Sequence, residues 1–214
     1  MMVMTSMART ERAALCDVAL QLGEGQPTLS GDWTVKDLVV HLLIREGSPA
    51  SVGITVPPLA KVTELASRRL ARRDFAVLVE RLRSGPPLYS PLRVPKLDKI
   101  TNTIEFYIHH EDIRRAQPFW EPRVLSAREE STIWKPLAHL GKALVRGADG
   151  GVVIERSDDG RRATLKSGEP TVVVRGLPSE VALYVYGRQD QARVELDGSE
   201  SAIAALDESD DLGL

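Results

Sequence analysis

The stretch Trp33 to Glu46, WTVKDLVVHLLIRE, constrains the fold more than any other part of the chain. Val35, Leu38, Val39, Val40, Leu42, Leu43 and Ile44 leave little polar surface on it, which describes a helix enclosed by neighbours. Thr34, three residues before Asp37, predicts a capping-box start in which the hydroxyl accepts a first-turn amide. Trp33 is placed to staple onto Leu38. The enclosed run contains one imidazole, His41. Residues three and four apart share a helix face, so Leu38, His41, Leu42 and Arg45 form one stripe. A buried imidazole is neutral and needs partners, because an unsatisfied buried polar group costs about 1–3 kcal/mol. Two readings stand at this point: a core histidine satisfied by hydrogen bonds, or a metal ligand.

A second informative helix is DKITNTIEFYIHHEDIRRAQP, stopped by Pro118. Glu105, His109 and Asp112 line one of its sides, with Ile100, Ile104 and Ile108 packing nearby. Glu105 and His109 lie one turn apart, a spacing that lets a carboxylate and an imidazole converge on one ion, as in helical zinc motifs. His110 is rotated by about 100° and points elsewhere. An acidic residue four before a histidine is common on helices. Asp112 and Glu111 can equally make surface pairs with Arg115 and Arg114, worth little each.

The rest of the first two thirds is helical. Ala8, Leu15, Val18, Ala19 and Leu22 recur at helical spacing from Ser6 to Leu22, and Gly23 and Gly25 stop that helix. After Glu46, GSPASVGITVPP is a loop that is either a rim or lid of the site or a plain connector. Residues 59–83 return to helical periodicity through Leu59, Val62, Leu65, Ala66 and Leu70, then Phe75, Leu78, Val79 and Leu82, with a break near Asp74. Arg68, Arg69, Arg72, Arg73, Arg81 and Arg83 mostly fall off that apolar face, as a solvated surface does, with anion binding the alternative. The proline-rich SGPPLYSPLRVPKLD reads as extended loop. A last bundle helix spans Ser126 to Arg146, with Ile133, Leu137, Leu140 and Leu144 as its core stripe, Pro136 as a kink and His139 at the surface.

At RGADGG, residues 146–151, a period of two replaces 3.6. GVVIERS, RATLKSG, TVVVRG and ARVELDG read as strands, SEVALYVYGR as a helix from Ser179, and Ser199–Leu206 as a final helix before an acidic tail. The fold class is therefore α plus α+β: a helical bundle over residues 1–147 and a small α+β domain over 151–214, too small to stand comfortably alone.

Composition narrows the functions. With 214 residues and a net charge of -2, and a pI near 6.1, there is no electrostatic footprint for nucleic acid. The single cysteine, Cys16, excludes an intrachain disulfide and a cysteine-based zinc cluster, and its place on the first helix's apolar side makes it a packing residue. No leader-like or membrane-spanning run is present, so the expected location is cytoplasmic.

WTVKDLVVHL and EFYIHHEDIRRAQ together resemble the mycothiol-dependent maleylpyruvate isomerase family of the DinB-like superfamily, and within it an actinobacterial subgroup of metal-binding members. The resemblance implies an N-terminal DinB-like four-helix bundle followed by a small sterol-carrier-like α/β domain. It also implies a metal held by His41, from the helix after a Trp-Thr start, and by the Glu105 and His109 pair. Two histidines and a carboxylate leave open positions on a zinc-like ion, the preferred metal. A thiol bound there ionises, and mycothiol, the small-molecule thiol the family implies, then attacks an electrophilic substrate. Arg45 is the candidate for a substrate or thiol carboxylate, with a surface pair to Asp37 or near Glu46 as the alternative. Asp112 is the candidate acceptor that orients His109, and Arg188 is the candidate to close over the cleft from the second domain. The rival functions are a hydrolase in which the ion activates water and a non-catalytic metal or small-ligand binding protein.

Overall fold

The computed structural model describes residues 6–51, 56–207 and 212; for residues 57, 91 and 95–101 the description is of backbone only. The chain divides into two compact units, residues 1–121 and 122–214.

Five α-helices make up the first unit: α1, Met7–Leu22; α2, Val35–Gly47; α3, Ala60–Ala71; α4, Phe75–Arg83; and α5, Pro95–Arg115. Thr34 caps α2 as its spacing predicts: its hydroxyl accepts from the Asp37 amide at 3.3 Å, and the Asp37 carboxylate accepts from the Thr34 amide at 3.0 Å. The apolar run that follows is fully enclosed. Val35, Leu38, Val39 and Leu42 are buried with Leu15 and Cys16 of α1, Leu78 and Leu82 of α4 and Phe106 and Ile113 of α5. Each buried leucine contributes about 1.5–3 kcal/mol. Cys16 is one of these packing groups: burial pushes its thiol pKa up to about 12, which keeps it protonated and inert.

Two features of this unit differ from the sequence reading. Helix α5 begins at Pro95, inside what reads as extended loop, because a proline at the first helical turn lacks only an N–H that would have no partner there. Helix α3 forms with the expected break at Asp74, which caps α4 through the Val77 amide, yet α3 buries no residue. Val62 and Leu65 of its apolar stripe are exposed, because α3 lies outside the packed core and touches it mainly through α2. Ile100 and residues 52–55 of the suggested lid lie outside the described side chains and residues.

The second unit contains α6, Ala127–Leu144, strands β1, Gly151–Arg156, β2, Arg162–Lys166, and β3, Thr171–Gly176, then α7, Pro178–Val185, β4, Glu195–Asp197, and α8, Glu200–Asp207. Its sheet is mixed, in the order β2-β1-β3-β4, with β1 and β3 parallel and both outer pairings antiparallel. Alternate residues of β3, Val172 and Val174, are buried as a period of two requires.

Helix α6, read from sequence as the last helix of a domain over 1–147, groups with the sheet. The reason is where its apolar face goes. Ile133 and Leu137 are buried, a Cβ at Gly141 would touch Leu165 of β2, and the Glu130 carboxylate accepts from the amide and hydroxyl of Ser179 on α7, both at 2.8 Å. Leu140, assigned to the core stripe, is 49% exposed, because the helix turns it away from β2 and α7. His139 is exposed, its Nδ1 2.8 Å from the Lys135 carbonyl oxygen. Among the described residues no helix is long and apolar enough to cross a membrane.

Candidate metal centre

From Thr103 to Ile113 every side chain of α5 is buried except Glu105 and His109, which are partly open. These two share a face with each other because they are four apart, and α2 packs so that His41 meets them. His41 Nε2 lies 3.6 Å and His109 Nε2 3.3 Å from one oxygen, Glu105 Oε1. The two imidazole rings meet edge to face, centroids 5.4 Å apart. One donor atom from each of His41, Glu105 and His109 falls within 4.8 Å of the other two. Tetrahedral zinc with arms of about 2.0–2.1 Å holds its ligand atoms roughly 3.4 Å apart. Side-chain shifts of about 1 Å therefore close the cluster on an ion, and the donor set of two imidazoles and one carboxylate fits such a group.

The surroundings prepare each donor differently. His109 Nδ1 lies 2.9 Å from Asp112 Oδ2, an oxygen that also accepts from the Ser30 hydroxyl at 2.9 Å. With its proton on Nδ1, the ring presents the Nε2 lone pair toward Glu105, as ligand histidines backed by a carboxylate do. Without an ion, burial disfavours charge on His109, but hydrogen bonds to Asp112 and Glu105 outweigh it and carry its pKa up to about 9. His41 moves the other way: burial lowers its pKa and the Glu105 bond only partly opposes this, so it is neutral near pH 7. For Glu105, burial favours the protonated form, yet hydrogen bonds to His109 and His41 and the Arg45 charge hold it well below the carboxylate range. The carboxylate is thus ionised and ready for a cation.

Arg45 does not make the pair with Asp37 that its sequence position offered, and in the folded chain it stands beside Glu105. Asp37 is occupied by the α2 cap, and Arg45 Nε lies 3.1 Å from Glu105 Oε1 while Nη1 donates to Asn102 Oδ1. Asn102 Nδ2 in turn donates to Glu46 at 2.8 Å, and Glu46 accepts from Arg12 of α1, whose guanidinium lies over the Phe106 ring. Glu111 is buried and pairs with buried Arg115 at 2.6 Å and with half-buried Arg114 at 2.8 Å. Arg188 belongs to the second unit, just past α7, where it donates to the Tyr186 carbonyl.

No family model and no curated protein matches the sequence. Two solved structures match the chain: a crystal structure of mycothiol-dependent maleylpyruvate isomerase, 19% identical with a TM-score of 0.57, and one of a histidine-to-alanine variant of that enzyme, 17% identical with a TM-score of 0.61. Each match covers 91% of this chain and 96% of that chain. The chain has the maleylpyruvate isomerase fold. The resemblance carried by WTVKDLVVHL and EFYIHHEDIRRAQ therefore holds at the level of architecture.

On this maleylpyruvate isomerase fold, three contributors to the cluster escape a motif reading. Trp33 lays its ring 5.0 Å from that of His41, instead of serving only as a staple. Asn102 holds Arg45, and Ser30 holds Asp112. Asn102 had a signal, since it stands three residues before Glu105 on the same face. Ser30 had none: it comes from the loop before α2, which α5 reaches only through folding, where the Leu29 amide donates to the Asp112 carbonyl at 3.1 Å.

Proposed function

We propose that His41, Glu105 and His109 hold a divalent metal, zinc by the preference of imidazole and carboxylate donors. On this reading the protein is a metal-dependent enzyme that joins mycothiol, or a thiol like it, to a small electrophile, as a transferase or an isomerase. Its two units are then a DinB-like helical bundle and a sterol-carrier-like α/β unit. The observation that carries the reading is the convergence of three donor atoms from two helices within 4.8 Å, with Asp112 behind His109. The likeness of fold to a mycothiol-dependent enzyme supplies the thiol.

A metal in this position supplies the positive charge that keeps a bound thiol ionised near neutral pH. The chain's own residues do the rest. Asp112 fixes the His109 ring and its proton, Arg45 keeps Glu105 ionised, and the Trp33 ring shields one side of His41. With a metal held by Glu105, the neighbouring Arg45 guanidinium would be the group to pair with a substrate carboxylate.

Elemental analysis tests the first half: about one zinc per wild-type chain, and background metal in a folded His41→Ala protein. Metal content unchanged by that substitution overturns the site. Calorimetric titration with mycothiol tests the second half, and heat of binding is expected only with the metallated wild type. Turnover of an electrophilic ester without any thiol would replace thiol transfer with hydrolysis.

A further inference from the structure

A cavity of about 370 Å³ lies in the first unit, away from the metal centre: none of His41, Arg45, Glu105 and His109 lines it. Four arginines from three separate segments meet there, Arg9 and Arg12 from α1, Arg83 from the end of α4 and Arg93 from the loop before α5. Among the described residues no carboxylate lines it. The sequence reading left the basic run of residues 68–83 open between solvated surface and anion binding. The fold divides that run: Arg68, Arg69, Arg72, Arg73 and Arg81 are exposed, and Arg83 turns into the cavity wall.

The charges in the wall are only partly compensated. Arg12 is paired with Glu46, and Arg83 reaches Asp17 at 2.8 Å and Glu80 at 3.0 Å. Arg9 and Arg93 have no carboxylate partner among the described residues; Arg93 donates only to the Pro86 carbonyl. Arg9 stands in the first turn of α1, which carries no acidic residue, so the positive end of that helix adds to the field there. Arg9 and Arg93 are exposed residues that line one concave space, so an anion that enters it is attracted to both. Low-dielectric walls strengthen that attraction over what an open surface offers.

The shape of the space selects among anions. A volume of about 370 Å³ is at the lower end of small-molecule sites, which run from about 300 Å³, and is too small for a nucleic-acid backbone. The Ser84 hydroxyl is already spent on the Glu80 carbonyl, so recognition falls to the guanidinium forks, which match the paired oxygens of phosphate. Pro86 and Leu92 supply an apolar wall for the rest of the ligand.

We propose that this arginine-lined cavity binds a small phosphorylated molecule, its phosphate between Arg9 and Arg93 and its apolar part against Pro86 and Leu92. The site stands on its own and does not depend on the metal reading.

The test is titration of the full-length, metal-stripped protein with inorganic phosphate and with phenyl phosphate at constant ionic strength, followed by thermal shift and by calorimetry. Saturable binding of both is expected, with phenyl phosphate the tighter, and chloride or acetate at the same concentration giving at most a tenth of the affinity. Arg9→Ala/Arg93→Ala should weaken phosphate at least tenfold, while Arg68→Ala/Arg72→Ala on the exposed run leaves it unchanged. Should the first double variant fail to fold, Arg93→Gln alone must weaken phosphate several-fold. Equal affinity for acetate, the same affinity in the Arg9 and Arg93 variants, or no saturable binding of either phosphate overturns the proposal.

Discussion

His109 and His110 are neighbours in sequence, yet α5 turns them about 100° apart into regions built on opposite principles. On the His110 side, each buried acid meets a donor: His110 Nδ1 lies 2.8 Å from Glu11, Arg12 pairs with Glu46, and Arg115 with Glu111, with side chains no more than 5% exposed. On the His109 side the side chains are 12–20% exposed, and three atoms that can each offer a lone pair point at one another. The first arrangement is closed and holds helices together. The second is held in place by Arg45, Asp112 and Ser30 from behind and brings two imidazole nitrogens to one carboxylate oxygen, where only protons and the Arg45 charge hold them together in the metal-free protein. Burial of charge alone therefore does not distinguish the two regions; the convergence of three potential ligand atoms does.

The sharpest way to break this comparison is on the closed side. Glu46→Ala leaves Arg12 buried without its carboxylate and should cost about 3–5 kcal/mol in urea denaturation, with metal content per folded chain unchanged. Loss of metal alongside stability would merge the two regions into one. On the open side, Asp112→Asn should keep the fold and lower metal affinity about 10–100-fold, read by competition with a chromogenic chelator.

A pH series gives a smaller effect with a defined sign. His109 is raised from 6.5 to about 9 in the metal-free protein, so its contribution to stability is full below pH 6.5 and is lost as pH rises through about 9. A metal needs the neutral ring, so between those values its binding displaces about one proton, and apparent affinity should climb up to tenfold per pH unit, levelling above about 9. Calorimetry in buffers of different ionisation enthalpy measures that proton. Binding independent of pH across this window would remove His109 from the ligand set. His139→Ala should change stability by no more than about 0.5 kcal/mol and leave metal uptake unaltered, since His139 is exposed on the second unit.

Much of this was legible in the residues because it is local. The Thr34 and Asp37 cap, the Asp74 break, the shared face of Glu105 and His109 and the switch to strands after Gly150 all follow from spacing within one element. The readings that needed revision concern what an element packs against. Leu140 fits a helical stripe, but the buried face of that helix is made by Ile133, Leu137, Gly141 and Leu144 and leaves Leu140 exposed. Val62 and Leu65 have the right period on a helix that the core does not cover. Arg45 had Asp37 within reach along the chain, and folding supplied Glu105 and Asn102, which bind it in a partly buried place where a charge-assisted hydrogen bond is worth more.

The sequence by itself determined which residues share a helix face, where most helices begin and end, and that one histidine would be enclosed in an apolar helix. Only the tertiary structure decided that His41 faces Glu105 and His109, that His110 faces Glu11, and that Arg9, Arg12, Arg83 and Arg93 surround one cavity. The reason is physical: a helix period is set by hydrogen bonds four residues apart, whereas the rotation and offset of one helix against another are set by the packing of all their side chains together.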